Sequence, residues 1–186
     1  MQRPDACPGE LVRAVKDLRF VGALVNGTTE GRFLDHPSYD GLLAAAVELD
    51  VPIYIHPHLP PEPVRQAYYS DLESGASRVL ESAAWGWHSE TAIHVLRMVL
   101  PGTLDRHPRL RLIIGHMGEM LPVMLARIDE VSTLDIEHLT RPVSRALAHH
   151  QRNLQRAAVS SCAANLRHRP HHVLGRLSVC SQCKGS

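Results

Sequence analysis

Three short runs, Phe20–Val25, Val51–His56 and Leu110–Gly115, constrain this chain more than any other feature. Each is apolar at nearly every position rather than at alternate ones, so a strand formed there is buried on both faces. Between them lie segments of helical period. Pro8 can open a helix with Leu11, Val12, Val15 and Leu18 on one side, and Pro37 a second with Leu42, Leu43, Ala46 and Leu49. Ser89 is a plausible cap for a third helix carrying Ile93, Leu96 and Leu100 inward, and Gly118 to Glu130 makes a fourth with Leu121, Met124, Leu125 and Ile128 on one side. Strands of this kind alternating with amphipathic helices imply parallel βαβ units with right-handed crossovers. A closed (β/α)8 barrel needs eight strands and typically about 250 residues. With 186 residues and three visible strands, the chain supplies at most part of one.

An apolar content of 44% excludes a disordered chain, and no apolar run approaches the roughly 20 residues of a membrane span. MQRPDACPGEL lacks the apolar stretch of a secretory signal, which makes a cytoplasmic protein the expectation. The near-neutral total charge hides an asymmetry. Residues 1–137 carry all 19 acids and 12 bases, whereas residues 138–186 carry eight bases and no acid.

Ligands of parallel α/β sheets meet the carboxyl ends of the strands. Two of the runs end in histidine: His56 in IYIHPH and His116 in LIIGHMGE. An imidazole on a strand end is held by a paired backbone, and histidine both ligates metals and moves protons near neutral pH. Glu119, three residues after His116, is placed either to orient that imidazole or simply to favour a helix N-terminus. Trp85 and Trp87 stand just before His88 in WGWHSE, a segment able to line a pocket for a planar substrate or to be buried packing. Asn26 and Arg32, in NGTTEGR after the first run, could bind a substrate carboxylate through the arginine fork.

FVGALVNGTTEGRFLDHPSY, VPIYIHPH and WGWHSETAIHVLRMVLPGTLDRHPRLRLIIGHMGEMLPVMLARID together resemble the amidohydrolase-related superfamily. The branch is the one containing 2-amino-3-carboxymuconate-6-semialdehyde, 2,3-dihydroxybenzoate and γ-resorcylate decarboxylases. The resemblance implies a partial (β/α)8 TIM barrel of about three central βα units over residues 1–147, followed by an irregular basic tail over 148–186. It implies a metal-dependent carboxy-lyase for a small aromatic or enoic carboxylic acid, with a hydrolase of the same barrel or a non-enzymatic product as alternatives. By position, His56 corresponds to a metal ligand, and His116 and Glu119 to the catalytic pair. Asn26, Arg32, Trp87 and His88 are the candidate substrate-binding residues. The implied cofactor is a divalent metal, zinc first and manganese as the alternative. The implied partners are a small carboxylic acid and further copies of the chain, with no nucleic acid and no membrane.

Two expected features are not found in the sequence. The family's first strand carries an E-x-H or H-x-H metal pair, and its eighth an aspartate in a phrase such as FSVDYP; no acid follows Glu137. One ligand of an expected four is therefore present, so this chain alone is expected to bind metal poorly and to be inactive. Read one nucleotide later with GC-rich codons, NLRHRPHHVLGRLSV can give TFGTDRIMFSVDYPF, so the tail is expected to be a shifted reading frame. On that reading Cys180 and Cys183 behind His171 and His172 are not half a zinc site, and the arginine-rich tail is not a nucleic-acid arm.

Overall fold

The computed structural model describes residues 3–136 and 141–150. Helix α1 (Cys7–Lys16) begins with Pro8 in its first turn, where a missing N–H costs nothing, and buries Cys7, Leu11 and Ala14. Strand β1 (Ala23–Asn26) follows; then a 3-10 turn at Pro37–Tyr39 leads into α2 (Asp40–Glu48), whose Leu42, Leu43, Ala45 and Ala46 are buried. After β2 (Ile53–His56) come α3 (Glu62–Tyr69), α4 (Ser74–Val79), a π-helical turn at Leu80–Ala84, and α5 (Gly86–Val99). The short α6 (Thr103–Arg106), β3 (Leu112–Ile114), a 3-10 turn at His116–Gly118 and α7 (Leu121–Asp135) complete the order.

The strands form one parallel sheet in the order β1-β2-β3, with Ala23 opposite Ile53 and Ile53 opposite Leu112. The order is sequential, with no reversal of the kind that makes a switch point in a doubly wound sheet. The apolar runs overestimate the strands. β1 starts at Ala23 rather than Phe20, and Val21 is exposed, because the β1–β2 register begins only at Ala23 and Ile53. Ile53, Ile55 and Leu112 are fully buried in one cluster with Leu42 and Leu43 of α2 and Val95 and Met98 of α5. The alternate positions Leu24, Tyr54 and Ile113 are only half-buried, so the strands are not buried on both faces as their apolar runs suggest. A buried side chain of this size contributes about 1.5–3 kcal/mol.

Helix α5 departs from the expected pattern. It starts at Gly86, three residues before Ser89, whose hydroxyl donates back to the Gly86 carbonyl instead of capping. Ile93 is exposed; the buried face holds Ala92, Val95, Met98 and Val99 together with the polar Glu90, Thr91 and His94. Leu96 and Leu100 do pack on the core as expected, and the buried face widens to take in His94, which accepts the Leu34 N–H at Nε2 (3.3 Å) with the Phe33 ring edge-on at 5.1 Å. On α7, Leu121 is buried and Leu125 and Ile128 pack on the core, whereas Met124 is exposed.

Residues 143–150 are helical, with Val143, Ala146 and Leu147 in the core. His150 is buried, and its Nδ1–H donates to the Leu110 carbonyl (2.6 Å). The expected boundary between 147 and 148 thus falls within this helical stretch. Residues 151–186, including Cys180, Cys183, His171 and His172, lie outside the described residues. Among the described residues, no helix is long and apolar enough to cross a membrane.

Candidate active site

The carboxyl ends of the strands are level. Asn26 lies opposite His56 in the register, and the ladder continues one step past β3, where the Gly115 N–H donates to the Ile55 carbonyl (2.9 Å). His56 is therefore the last residue of β2, and His116 the first after that closing bond. Gly115 has to be glycine for this approach: a Cβ there would lie 2.8 Å from Pro57 Cδ and 3.1 Å from the Ile55 oxygen. The result is that the rings of His56 and His116 meet edge to face, with centroids 5.6 Å apart and planes at 84°.

Each ring is oriented through one nitrogen. His56 Nδ1 lies 2.7 Å from the Pro57 carbonyl, which can only accept, so Nδ1 carries the proton and Nε2 keeps its lone pair. This is the tautomer a metal ligand needs. His116 Nδ1 lies 3.4 Å from Glu119 Oε1, an ion-pair contact longer than a well-formed hydrogen bond, and Oε1 has no hydrogen-bond partner among the described residues. Hydrogen bonds of this type are often long in ligand-free sites.

The turn that carries the pair is strained. His116 (φ 44°) and Glu119 (φ 55°) adopt positive φ without being glycine, with Gly118 (φ 87°) between them. Such residues cost on the order of 1–3 kcal/mol each and persist where packing over-determines them. Here the outcome is a Glu119 side chain with 0% exposure, folded back beneath His116. The other Glu119 oxygen, Oε2, is taken by His88 Nδ1, and His88 Nε2 lies 2.8 Å from the Ala83 carbonyl. Trp87 packs against His116 edge to face at 6.2 Å, and its Nε1–H is buried without a hydrogen-bond partner among the described residues.

Of the expected site residues, His56, His116, Glu119, Trp87 and His88 come together. Asn26 is at the same sheet edge beside His56, with an exposed side chain. Arg32 is elsewhere engaged: its guanidinium pairs with Glu30, and a bridge between Thr29 and Arg32 closes that loop. Trp85 is half-exposed and is not part of the cluster. Local spacing gave no sign of three features: the Pro57 carbonyl behind His56, the His88–Glu119 contact across 31 residues, and the buried polar face of α5. On that face burial pushes the Glu90 carboxyl up, and it pushes the His94 imidazole down to about 4, opposed by Asp35.

A catalytic divalent ion ordinarily takes three or more protein ligands. Among the described residues no group of three or more His, Cys, Asp or Glu side chains could hold one. His56 is fit to be one ligand, but the described residues do not fit a complete metal centre.

A parallel sheet with two histidines at its carboxyl edge, one backed by a buried glutamate, puts imidazole and carboxylate groups where α/β proteins bind their ligands. The amidohydrolase family profile matches residues 1–166, and the chain belongs to that family. It is 44% identical over 130 residues to decarboxylase orsB of Emericella nidulans, covering 70% of this chain and 39% of the relative. It is 44% identical over 136 residues to a gamma-resorcylate decarboxylase of Rhizobium sp., covering 69% and 39%. Among solved structures, 2,6-dihydroxybenzoate decarboxylase from Rhizobium superposes with a TM-score of 0.70 at 34% identity, covering 85% of this chain and 53% of that one. Dihydroxybenzoic acid decarboxylase from Polaromonas, crystallised with manganese and the inhibitor 2-nitroresorcinol, gives 0.70 at 30% identity, covering 86% and 52%. The chain thus spans 39% of the length of these curated relatives.

Proposed function

We propose that the chain carries the central βα units of a partial barrel whose chemistry is the non-oxidative decarboxylation of a small hydroxylated aromatic acid. The observation that carries this is the contact between the His56 and His116 rings at the sheet's carboxyl edge, with Glu119 buried behind His116. Relatives that decarboxylate dihydroxybenzoates support the substrate class.

In this reading His116 is the proton carrier. To react it must carry both ring protons: Nδ1–H faces Glu119 while Nε2–H gives its proton to the ring carbon bearing the carboxylate, which leaves the neutral Nδ1–H tautomer. The C–C bond then breaks, its electron pair returns to the ring, and carbon dioxide leaves; one proton replaces one carboxyl group and no redox change occurs. The Trp87 indole forms a wall beside His116 and offers Nε1–H to a substrate oxygen. Asn26, at the edge beside His56, is a second polar contact. Arg32 would take a substrate carboxylate only by leaving Glu30.

His56 is the residue that would hold a divalent ion, zinc or, as in the Polaromonas relative, manganese; such an ion supplies Lewis acidity. Because the described residues offer it a single fit ligand, metal is held weakly by this chain alone, and turnover by the chain alone is expected to be absent. Residues 1–147 are the barrel part, and 148–186 a shifted frame, which the coding DNA would show by encoding FSVDYP one nucleotide later.

The test is a chimera in which residues 9–145 replace the equivalent segment of the Rhizobium gamma-resorcylate decarboxylase. Turnover of 2,6-dihydroxybenzoate, abolished by His116→Ala and strongly reduced by Glu119→Gln, is the expected result. A folded, metal-loaded chimera without activity would overturn the proposal.

A further inference from the structure

His88 sits between two acceptors. Nε2 faces the Ala83 carbonyl at 2.8 Å, and Nδ1 faces Glu119 Oε2. A neutral imidazole has one N–H and one lone pair, so it would satisfy one of these neighbours and turn a lone pair on the other. A second proton is required: on the ring, making an imidazolium against a carboxylate, or on the carboxyl, donating to a neutral Nδ1. Both cases place one proton in the contact. The surroundings demand the same. The Glu119 side chain is fully buried, and a buried carboxylate is tolerated only when its charge is matched nearby. The other contact, His116 at 3.4 Å, is longer than a well-formed hydrogen bond, whereas His88 Nδ1 is hydrogen-bonded to Oε2.

The carbonyl on the far side is also held in place. Ala83 belongs to the π-helical turn, where Ser82 leaves helical geometry (φ −109°, ψ −119°), and Gly86 lets that turn close against α5: a Cβ on Gly86 would lie 1.9 Å from the Glu81 oxygen. Arg65 fixes the same turn from outside by binding Glu81 through Nε (2.8 Å) and Nη2 (3.2 Å). His88 is thus clamped at both nitrogens, and it presents Glu119 with only one way to point: Oε2 to His88, Oε1 to His116.

We infer that His88 and Glu119 share a single proton, and that this pair, rather than Glu119 alone, sets the orientation of His116. His88 is a positioning residue, not the substrate contact the sequence suggests. The inference rests on reading His116 and Glu119 as the reacting pair, but it makes a statement about the rings themselves that does not depend on turnover.

The experiment is nitrogen-15 NMR of the histidine rings in the full-length chain at about pH 8, above the roughly 6.5 of a free histidine. Loss of a signal in His88→Gln and in His116→Gln assigns the two rings. Two signatures are consistent with a shared proton: both His88 nitrogens of pyrrole type, or a strongly downfield proton bridging Nδ1 and Glu119. Glu119→Gln should return His88 to an ordinary neutral ring with one pyridine-type nitrogen. His88→Gln should convert His116 from a single Nδ1–H tautomer to a mixture of both, while the buried His94 signal stays in place as the control for folding; His88→Asn provides a second variant should the first disturb α5. An ordinary neutral His88 ring with no bridging proton in the unsubstituted chain, or a His116 tautomer unmoved by either His88 variant, overturns the inference. An inactive chimera with the predicted ring signals would refute the decarboxylase reading and leave the proton-sharing pair standing.

Discussion

Adding one methyl group at Gly115 should damage the site without touching a reactive group. The Gly115 backbone (φ −58°, ψ 165°) is open to any residue, so alanine there carries no conformational penalty. The cost is steric: its Cβ would meet Pro57 Cδ at 2.8 Å, the Ile55 oxygen at 3.1 Å and the Tyr54 hydroxyl at 3.2 Å. Pro57 is a rigid ring and Ile55 is backbone, so neither yields by a rotamer change, and the ends of β2 and β3 must separate. Overpacking of this kind costs about 1–3 kcal/mol. At about 2–4 °C per kcal/mol for a chain of this size, the midpoint of thermal unfolding should fall by roughly 2–12 °C. Gly118→Ala is the contrasting change: its nearest neighbour is Pro122 Cγ at 3.4 Å, but φ is +87°, so the cost is conformational, about 1–2 kcal/mol. Both lower stability in urea and thermal unfolding, but only Gly115→Ala should weaken the nuclear Overhauser contacts between the His56 and His116 rings. If Gly115→Ala leaves both the midpoint and those contacts unchanged, the reasoning that this close approach aligns the two histidines is wrong.

Other expectations are more general. Leu43→Ala removes a fully buried side chain between α2 and the sheet and should cost about 2–5 kcal/mol by urea unfolding; a loss under 1 kcal/mol would mean the core is not packed as described. His94 is held neutral, pushed down to about 4 by burial, so the unfolded chain binds the extra proton first as pH falls. Its contribution is therefore intact above about pH 6.5 and lost progressively down to about pH 4, up to roughly 3 kcal/mol, and His150, shifted down by burial, acts in the same sense. His94→Gln should flatten the stability–pH curve between pH 4 and 6.5, and an unchanged slope would contradict the assignment. Arg65→Ala frees Glu81 and the π-helical turn and should shift the His88 ring signals while leaving His94 unmoved; no change at His88 would disconnect that turn from the site.

The strands were legible because even their second face, only half-buried at Leu24, Tyr54 and Ile113, carries mostly apolar side chains, so few polar residues blur the pattern. Their ends were not, since a strand stops where its neighbour stops pairing: Phe20 and Val21 are as apolar as Leu24 but stand before the pairing begins. Helix α5 was legible only in part: Leu96 and Leu100 pack on the core as their spacing has it, but three further inner positions are the polar Glu90, Thr91 and His94, which no apolar period marks, and Ile93 is exposed. Gly86 reads as a breaker, yet it opens the helix, because only a residue without a Cβ fits against the Glu81 carbonyl. His56 and His116 could be found by asking which residues close the strands. The Glu119 bond to His88 could not, because a contact between the start of one helix and a turn 31 residues later leaves no local period.

The proposal that His56 and His116 open on one mouth at the sheet edge, with His56 able to hold a cation, predicts a specific response when manganese is titrated into the full-length chain. Paramagnetic broadening of the histidine ring protons is the readout. The ring protons of residues 56 and 116 should broaden together and ahead of His94, and His56→Ala should abolish the effect on His116. Broadening centred on other histidines while these two stay sharp, or broadening of one of the pair without the other, would contradict it.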